Sequence, residues 1–188
     1  TWGFQKLAAM KVIFLTLLCL LIARQKAKVF DVCDLYYILK FFQMDPFRGI
    51  YSEQFVCAAD YSSRLDTLYY ENIWGVPRYG IFQLSGLEWC DNGRHPTQNR
   101  CNISCDLFLD DDILDDTLCV KKIVQRTKDM RAWPLYLKYC NKQTINYYYM
   151  QCLFGKNHGP SKKRIRQKTR TLRLVMALKQ LQNFKKNV

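Results

Sequence analysis

Apolar residues recur with helical spacing in three segments of the chain, at residues 34–42, 51–61 and 115–124. The second segment has an apolar face made of Phe55, Val56 and Ala59. Ser52 precedes that face and is predicted to cap the helix. The third segment begins with paired aspartates and ends towards lysines, which favours a helix through its dipole. These patterns predict three amphipathic helices.

One further segment favours a β-strand. Residues 78–85 (RYGIFQLS) are rich in β-forming residues, and Asp91, Asn92 and Gly93 form a typical turn sequence. Residues 147–149 are three consecutive tyrosines, which we interpret as packing near a chain end. The patterns together predict a mostly helical fold with a small sheet.

The first part of the chain has the pattern of an export signal. Residues 12–23 form an apolar run of 12 residues with Thr16 as its one polar member. This is too short to span a bilayer, which needs about 20 residues, but it suits a secretory signal. A buried core helix is the alternative. We therefore expect a signal peptide at residues 10–27, and we interpret residues 1–9, which precede Met10, as an artefact of translation start assignment.

The formal charge of +13 is concentrated in a tail. Residues 28–155 hold 14 basic and 16 acidic residues, whereas residues 156–188 hold 11 basic residues and no acidic one. The segment 155–188 is predicted to be a solvated disordered tail, or a basic helix that contacts an anionic membrane or nucleic acid. Because residues 28–154 carry no basic excess, no nucleic-acid partner is expected for that domain.

Eight cysteines remain once the signal, which contains Cys19, is removed. An even number in a small exported domain implies four disulfides, and eight cysteines allow 105 pairings. Zinc binding is disfavoured because Cys101 and Cys105 form the one closely spaced pair that suits it, with no second pair beside them.

The cysteine intervals of 24, 33, 11, 4, 14, 21 and 12 resemble those of the c-type lysozymes and α-lactalbumins. The strings VCAA at 56–59, YGIFQ at 79–83, CNISC at 101–105 and CVKKIV at 119–124 resemble that family too. The resemblance implies an α+β fold with a helical lobe, a small antiparallel β lobe and a cleft between them. It also implies the disulfides Cys33–Cys152, Cys57–Cys140, Cys90–Cys105 and Cys101–Cys119.

The family hydrolyses glycosides with two carboxyl groups, for which lysozyme is itself the standard example. By the resemblance, the general-acid position holds Ser62 and the second carboxylate position holds Arg78. Neither side chain can replace the group it displaces. Glu71 or Asp60 could supply a substitute carboxylate, although both are expected to be surface charges.

A partial saccharide-binding surface is implied by the same resemblance. Gln83, Trp89 and Trp133 stand at the family's cleft positions. Packing of Trp133 in the core is the alternative. Glu88 and Arg126 replace other residues of that cleft, which weakens the expected binding.

Five aspartates fall within seven residues at 110–116. Such density is unfavourable through like-charge repulsion unless a cation binds, and Ca²⁺ prefers hard oxygen ligands of this type. The sequence is not an EF-hand, but it resembles the calcium loop of α-lactalbumins and calcium-binding lysozymes. The resemblance implies these ligands: the side chains of Asp110, Asp115 and Asp116 and the carbonyls of Leu107 and Asp112. An acidic helix start without metal is the alternative.

These features predict a secreted, calcium-binding, non-catalytic monomer with a binding or regulatory role similar to that of α-lactalbumin. Its expected partner is a glycosyltransferase or a saccharide. Asp60 and Tyr61 replace the residues that α-lactalbumin uses on its transferase, which weighs against that partner. One alternative is a lysozyme acting on bacterial cell walls with relocated catalytic groups. Another is a cationic antimicrobial or membrane-binding protein that works through its tail.

Overall fold

A computed structural model describes residues 28–154. The expected signal at 10–27, the segment 1–9 and the basic tail at 155–188 lie outside the described residues. Among the described residues, no helix is long and apolar enough to cross a membrane.

Five α-helices and one short 3₁₀ helix form most of the described domain. The α-helices are α1 (Val32–Phe41), α2 (Ser52–Ser63), α3 (Leu114–Thr127), α4 (Pro134–Tyr139) and α5 (Lys142–Phe154). The 3₁₀ helix spans Cys105–Phe108. The three predicted helices correspond to α1, α2 and α3, with ends that differ by one to three residues. We did not predict α4 and α5.

The predicted cap of α2 is wrong. Ser52 is the first helical residue and is buried, while Tyr51 occupies the capping position. The Gln54 side chain reaches back so that its Oε1 accepts a hydrogen bond from the Tyr51 N–H at 2.9 Å. The backbone N–H of Ser52 donates to Asp45 instead. The N–H of the first helical residue therefore donates to a side chain that lies outside the cap position.

The sheet has three antiparallel strands in the order β1 (Tyr70–Ile73), β2 (Val76–Tyr79) and β3 (Leu84–Ser85). The β-forming segment 78–85 contains the end of β2 and all of β3, and a turn at residues 80–83 separates the two strands. Gly80 and Gln83 both adopt positive φ angles, of 72° and 49°, which end the extended backbone.

The core of the helical lobe surrounds α2. Phe55, Val56 and Ala59 of its predicted apolar face are fully buried, and α2 packs against α1, α4 and α5. Leu35 and Leu39 of α1 are fully buried as well. In α5, Tyr148 is buried while its neighbours Tyr147 and Tyr149 are exposed, so one tyrosine of the run packs inward.

Four disulfides cross-link the domain. The structure forms Cys33–Cys152, Cys57–Cys140, Cys90–Cys105 and Cys101–Cys119, which are the pairs that the family resemblance implies. The first two close long loops across the helical lobe, and the last joins the β lobe to α3. Cross-links that close long loops restrict the unfolded chain and so stabilise the folded state. The predicted α+β fold with a helical lobe and a small β lobe is confirmed.

The sequence Asn102-Ile103-Ser104 matches a glycosylation sequon. Asn102 is exposed, but it lies between Cys101 and Cys105, which belong to two different disulfides. We expect poor occupancy, because these cross-links hold the sequon in a tight turn. Mass spectrometry of the protein produced in eukaryotic cells, before and after glycosidase treatment, checks this, with Ser104→Ala as the unglycosylated reference. A complete mass shift in the native protein would contradict it.

Candidate functional site

Two neighbouring cavities lie between the sheet and the helical lobe, with volumes of about 350 and 390 Å³. Four residues line both of them: Val76, Arg78, Gln83 and Trp133. The first cavity, which we call the upper cavity, extends towards Trp89 and Arg131. The second, the lower cavity, extends towards Ser62 and Leu135. The two form one cleft with Arg78 at their junction.

The two positions that the resemblance assigns to catalysis meet in this cleft. Ser62, near the end of α2, and Arg78, on β2, both line the lower cavity. Arg78 donates a long hydrogen bond of 3.5 Å from Nη1 to the carbonyl of Gln83. It forms no ion pair with any described residue. The cleft therefore presents a hydroxyl and a guanidinium where the family pattern has two carboxyl groups.

The two candidate substitute carboxylates differ in position. Glu71 lines the lower cavity beside Ser62 and Arg78. Asp60 lines neither cavity and instead accepts a 2.6 Å hydrogen bond from the Tyr148 hydroxyl. The upper cavity holds Glu88, whose Oε2 pairs with Arg100 at 3.1 Å. Each cavity thus has one carboxylate among its described lining residues.

The predicted saccharide contacts lie along the cleft, but they are buried. Trp89, Trp133 and Gln83 are exposed to only 6%, 2% and 4%. The Trp133 Nε1 donates to the carbonyl of Phe82 at 2.9 Å. The Gln83 Nε2 donates to the carbonyls of Tyr69 and Gly80, at 2.8 and 2.9 Å. These side chains support the wall of the cleft and offer a ligand little ring surface.

An aromatic residue that we did not predict stands at the rim. Trp74 is 96% exposed and lines the lower cavity from the turn between β1 and β2. Trp74 and Gly75 both have positive φ angles, as a tight hairpin turn requires. The sequence signal was available, since the pair Trp74-Gly75 follows the strand-forming Ile73 and precedes Val76.

The aspartate cluster connects the 3₁₀ helix to the start of α3. The Asp112 N–H donates to Asp110 Oδ1 at 2.7 Å, and the Leu114 N–H donates to Asp112 Oδ1 at 3.1 Å. Asp111 is exposed. No group of three or more His, Cys, Asp or Glu side chains in residues 28–154 is already placed to hold a metal ion.

Asp116 distinguishes this cluster from a solvated acidic helix start. The side chain is buried, and its Oδ1 has no hydrogen-bond partner. Burial raises the pKa of Asp116 well above its ordinary value, and the charge of Asp115 raises it further. A buried carboxyl oxygen without a partner is costly unless a cation or donor reaches it. The donor chemistry of the loop and this orphaned oxygen fit a hard cation such as Ca²⁺.

The loop is packed tightly against the end of β2. A side chain at Gly80 would place its Cβ 2.1 Å from the Phe108 carbonyl oxygen and 3.0 Å from Asp116 Oδ1. Only glycine fits this contact, and its φ of 72° also favours glycine. The aspartate loop and the strand that carries Arg78 are therefore in direct contact.

The residues at the transferase-binding positions are engaged within the domain. Tyr61 stacks on Tyr139 with ring centroids 4.9 Å apart. Asp60 holds the Tyr148 hydroxyl, whose pKa is raised by burial and by that hydrogen bond. Both side chains therefore fasten α2 to α4 and α5.

Residues 28–152 match the C-type lysozyme/alpha-lactalbumin family. The chain is 39% identical over 127 residues to the milk isozyme of lysozyme C from Canis lupus familiaris, covering 66% of this chain and 98% of that protein. It is 37% identical over 142 residues to sperm acrosome-associated protein 5 from Mus musculus, covering 75% of this chain and 89% of that protein. The solved lysozyme from Equus asinus matches with a TM-score of 0.63 at 37% identity, covering 66% of this chain and 98% of that one. Canine milk lysozyme in its holo-type form gives the same TM-score and coverage at 38% identity.

Proposed function

The chain belongs to the C-type lysozyme/alpha-lactalbumin family, and we propose that it is a secreted, calcium-binding member that binds a saccharide without hydrolysing it. The observation that carries the proposal is the pair of residues in the lower cavity, Ser62 and Arg78. Four disulfides support an oxidising, extracellular compartment.

The chemistry of hydrolysis explains why this pair matters. A retaining glycosidase needs one protonated carboxyl group to assist the leaving oxygen and one ionised carboxylate to attack or stabilise the sugar carbon. The Ser62 hydroxyl does not release a proton near neutral pH. The Arg78 guanidinium repels the positive charge that develops on the sugar in the transition state. The cleft can therefore hold a sugar chain while lacking both catalytic roles.

A bound Ca²⁺ would supply positive charge that relieves repulsion in the aspartate loop. The proposed ligands are the side chains of Asp110, Asp115 and Asp116, with the carbonyls of Leu107 and Asp112. The fold would hold these oxygens near the start of α3, close to Gly80 and to β2, the strand that carries Arg78. The orphaned oxygen of Asp116 supports this proposal.

One observation favours a second candidate, a lysozyme with relocated catalytic groups. Glu71 lines the lower cavity together with Ser62. However, the other cleft carboxylate, Glu88, lies in the upper cavity and pairs with Arg100. A single carboxylate cannot fill both roles of a retaining mechanism. The antimicrobial alternative depends on the tail, which lies outside the described residues.

A saccharide is the partner that the structure supports better than a glycosyltransferase. Tyr61 and Asp60 stand at the positions that the resemblance assigns to transferase binding, and both are held by contacts inside the domain. The cleft, by contrast, combines about 740 Å³ in its two cavities with polar groups and an exposed tryptophan. Concave sites with these properties suit small ligands.

The test incubates the secreted protein with N-acetylglucosamine hexamer in the presence of Ca²⁺. We expect the hexamer to bind and to be recovered intact, because the cleft has Ser62 and Arg78 in place of the two catalytic carboxyl groups. Tryptophan fluorescence follows binding, and mass spectrometry of the recovered sugar follows cleavage. A lysozyme from the family, run in parallel, shows that the hexamer can be cleaved under these conditions. Shorter products from the native protein that disappear in Glu71→Gln would establish the enzyme alternative.

A further inference from the structure

The lower cavity combines a cation, Arg78, with an exposed aromatic ring, Trp74. Arg78 lies at its inner end and Trp74 at its outer rim, on the same β-hairpin. Pro134 and Leu135 form the opposite wall. A polar group at the base and apolar surfaces at the sides are typical of a site that orients a ligand.

Arg78 has no ionic partner within residues 28–154, although a carboxylate stands opposite. Glu71 pairs with Arg78 in the register of β1 and β2, so the two side chains leave the same face of the sheet. Glu71 nevertheless accepts a hydrogen bond from the Tyr69 hydroxyl, at 3.4 Å, and forms no ion pair with Arg78. The half-buried guanidinium keeps the donors with which arginine binds a carboxylate or sulfate in a bidentate manner.

The other charged groups of the cleft are occupied. Arg131 of the upper cavity pairs with Asp129, and Glu88 pairs with Arg100. Arg78, at the junction of the two cavities, is therefore the cation in the described cleft that a ligand can reach without breaking an ion pair. Glu71 offsets the charge of Arg78, so the lower cavity attracts an anion only weakly from a distance. The affinity for an anion therefore comes from direct contact with Arg78.

The Trp74 ring supplies the second contact. A tryptophan that is 96% exposed at a hairpin tip leaves both faces of the indole available. Exposed aromatic surface beside a cavity marks a binding site more often than isolated exposure elsewhere. The apolar face of a sugar ring fits such a surface, while the hydroxyl groups of the sugar remain in water.

We propose that the lower cavity binds an acidic saccharide, with its carboxylate or sulfate on Arg78 and a sugar ring against Trp74. The inference rests on the proposed function, because it requires a cleft that binds sugar without cleaving it. Replacing a carboxylate by arginine then changes the ligand that the cleft selects, in addition to removing hydrolysis.

The experiment compares two hexasaccharides of equal length. One alternates uronate with N-acetylhexosamine, and the other is the uncharged N-acetylglucosamine hexamer. Dissociation constants are measured by titration calorimetry on the full secreted chain with Ca²⁺, at 150 mM salt to weaken contacts with the basic tail. We expect the acidic sugar to bind at least about tenfold more tightly, the gain typical of a charge-assisted bidentate contact.

Matched variants separate the cleft from the tail. Arg78→Gln is expected to remove about tenfold of the affinity for the acidic sugar and to leave the neutral sugar within about twofold. Arg48→Gln removes the same charge at an exposed site outside both cavities and is expected to change neither. Arg78→Lys keeps the charge but loses the planar fork, so it should fall between the native protein and Arg78→Gln. Trp74→Ala is expected to weaken both sugars.

The outcomes distinguish this inference from the proposed function. Equal affinities of Arg78→Gln and Arg48→Gln for the acidic sugar would overturn the inference, since the binding would then come from the tail or another surface. Tighter binding of the neutral sugar by the native protein would also overturn it. Shortened sugars in the mass spectrum would overturn the proposed function instead. Circular dichroism spectra that match the native protein show that each variant is folded.

Discussion

The native protein will clear bacterial cell walls at least about 100-fold more slowly than a catalytic lysozyme of its family. Loss of a general acid or of an electrostatic contact to the transition state each reduces a rate by about two orders of magnitude or more. We expect both to be lost here, because the resemblance places Ser62 at the acid position and Arg78 at the second carboxylate position, and both residues line the lower cavity. Turbidity of a cell-wall suspension, followed over time with Ca²⁺ present, measures the rate.

Restoring both carboxyl groups provides the matched test. The double variant Ser62→Glu with Arg78→Asp is expected to recover part of the activity, since Gln83 and Trp133 still support the cleft wall. Either single variant should stay at background, because the two groups act as one unit. A native rate within about tenfold of an ordinary lysozyme would mean that other groups perform the chemistry.

The second large effect is stabilisation by Ca²⁺. An ion that binds only the native state stabilises it by RT ln(1 + [Ca²⁺]/Kd), or about 4 kcal/mol at a thousandfold excess over Kd. For a domain of this size we expect the thermal midpoint to rise by about 10 °C or more between excess chelator and millimolar Ca²⁺. Mg²⁺ should act weakly, because it requires a smaller and more rigid octahedral site. Differential scanning calorimetry measures both.

The aspartate variants identify the site. Asp115→Ala and Asp116→Asn should remove the difference between Ca²⁺ and chelator, while Asp111→Ala, at an exposed position expected to point outward, should retain it. Asp116→Asn should also raise the midpoint in chelator, because a neutral amide replaces a carboxyl whose charged form is disfavoured by burial and by Asp115. If the native midpoint is the same in chelator and Ca²⁺, the cluster is a charged helix start and not a metal site.

Local patterns predicted the elements whose periodicity is visible within one short segment of the sequence. The apolar spacing of α1, α2 and α3 identified each helix to within a few residues. The same reasoning failed at Ser52, where Gln54 satisfies the Tyr51 N–H instead. It also did not locate the turn at residues 80–83, which divides the β-forming segment. At Gly80, contact with Phe108 and Asp116 helps to fix the turn, and no window of sequence contains that contact.

The family could be identified from the sequence alone, and the same resemblance predicts that Ser62 and Arg78 stand at the catalytic carboxylate positions. Cysteine spacing depends on chain length between cross-links, and residue type decides whether a side chain can donate a proton, so both can be read without coordinates. Which cleft side chains a ligand can reach could not be predicted from the sequence, because it depends on the tertiary structure. Exposure depends on neighbours from distant segments, and these bury Trp89 and Trp133 while leaving Trp74 exposed. The same packing gives Glu71 a tyrosine partner, and it leaves the Arg78 guanidinium, where the two cavities meet, without an ionic partner in the described part of the chain.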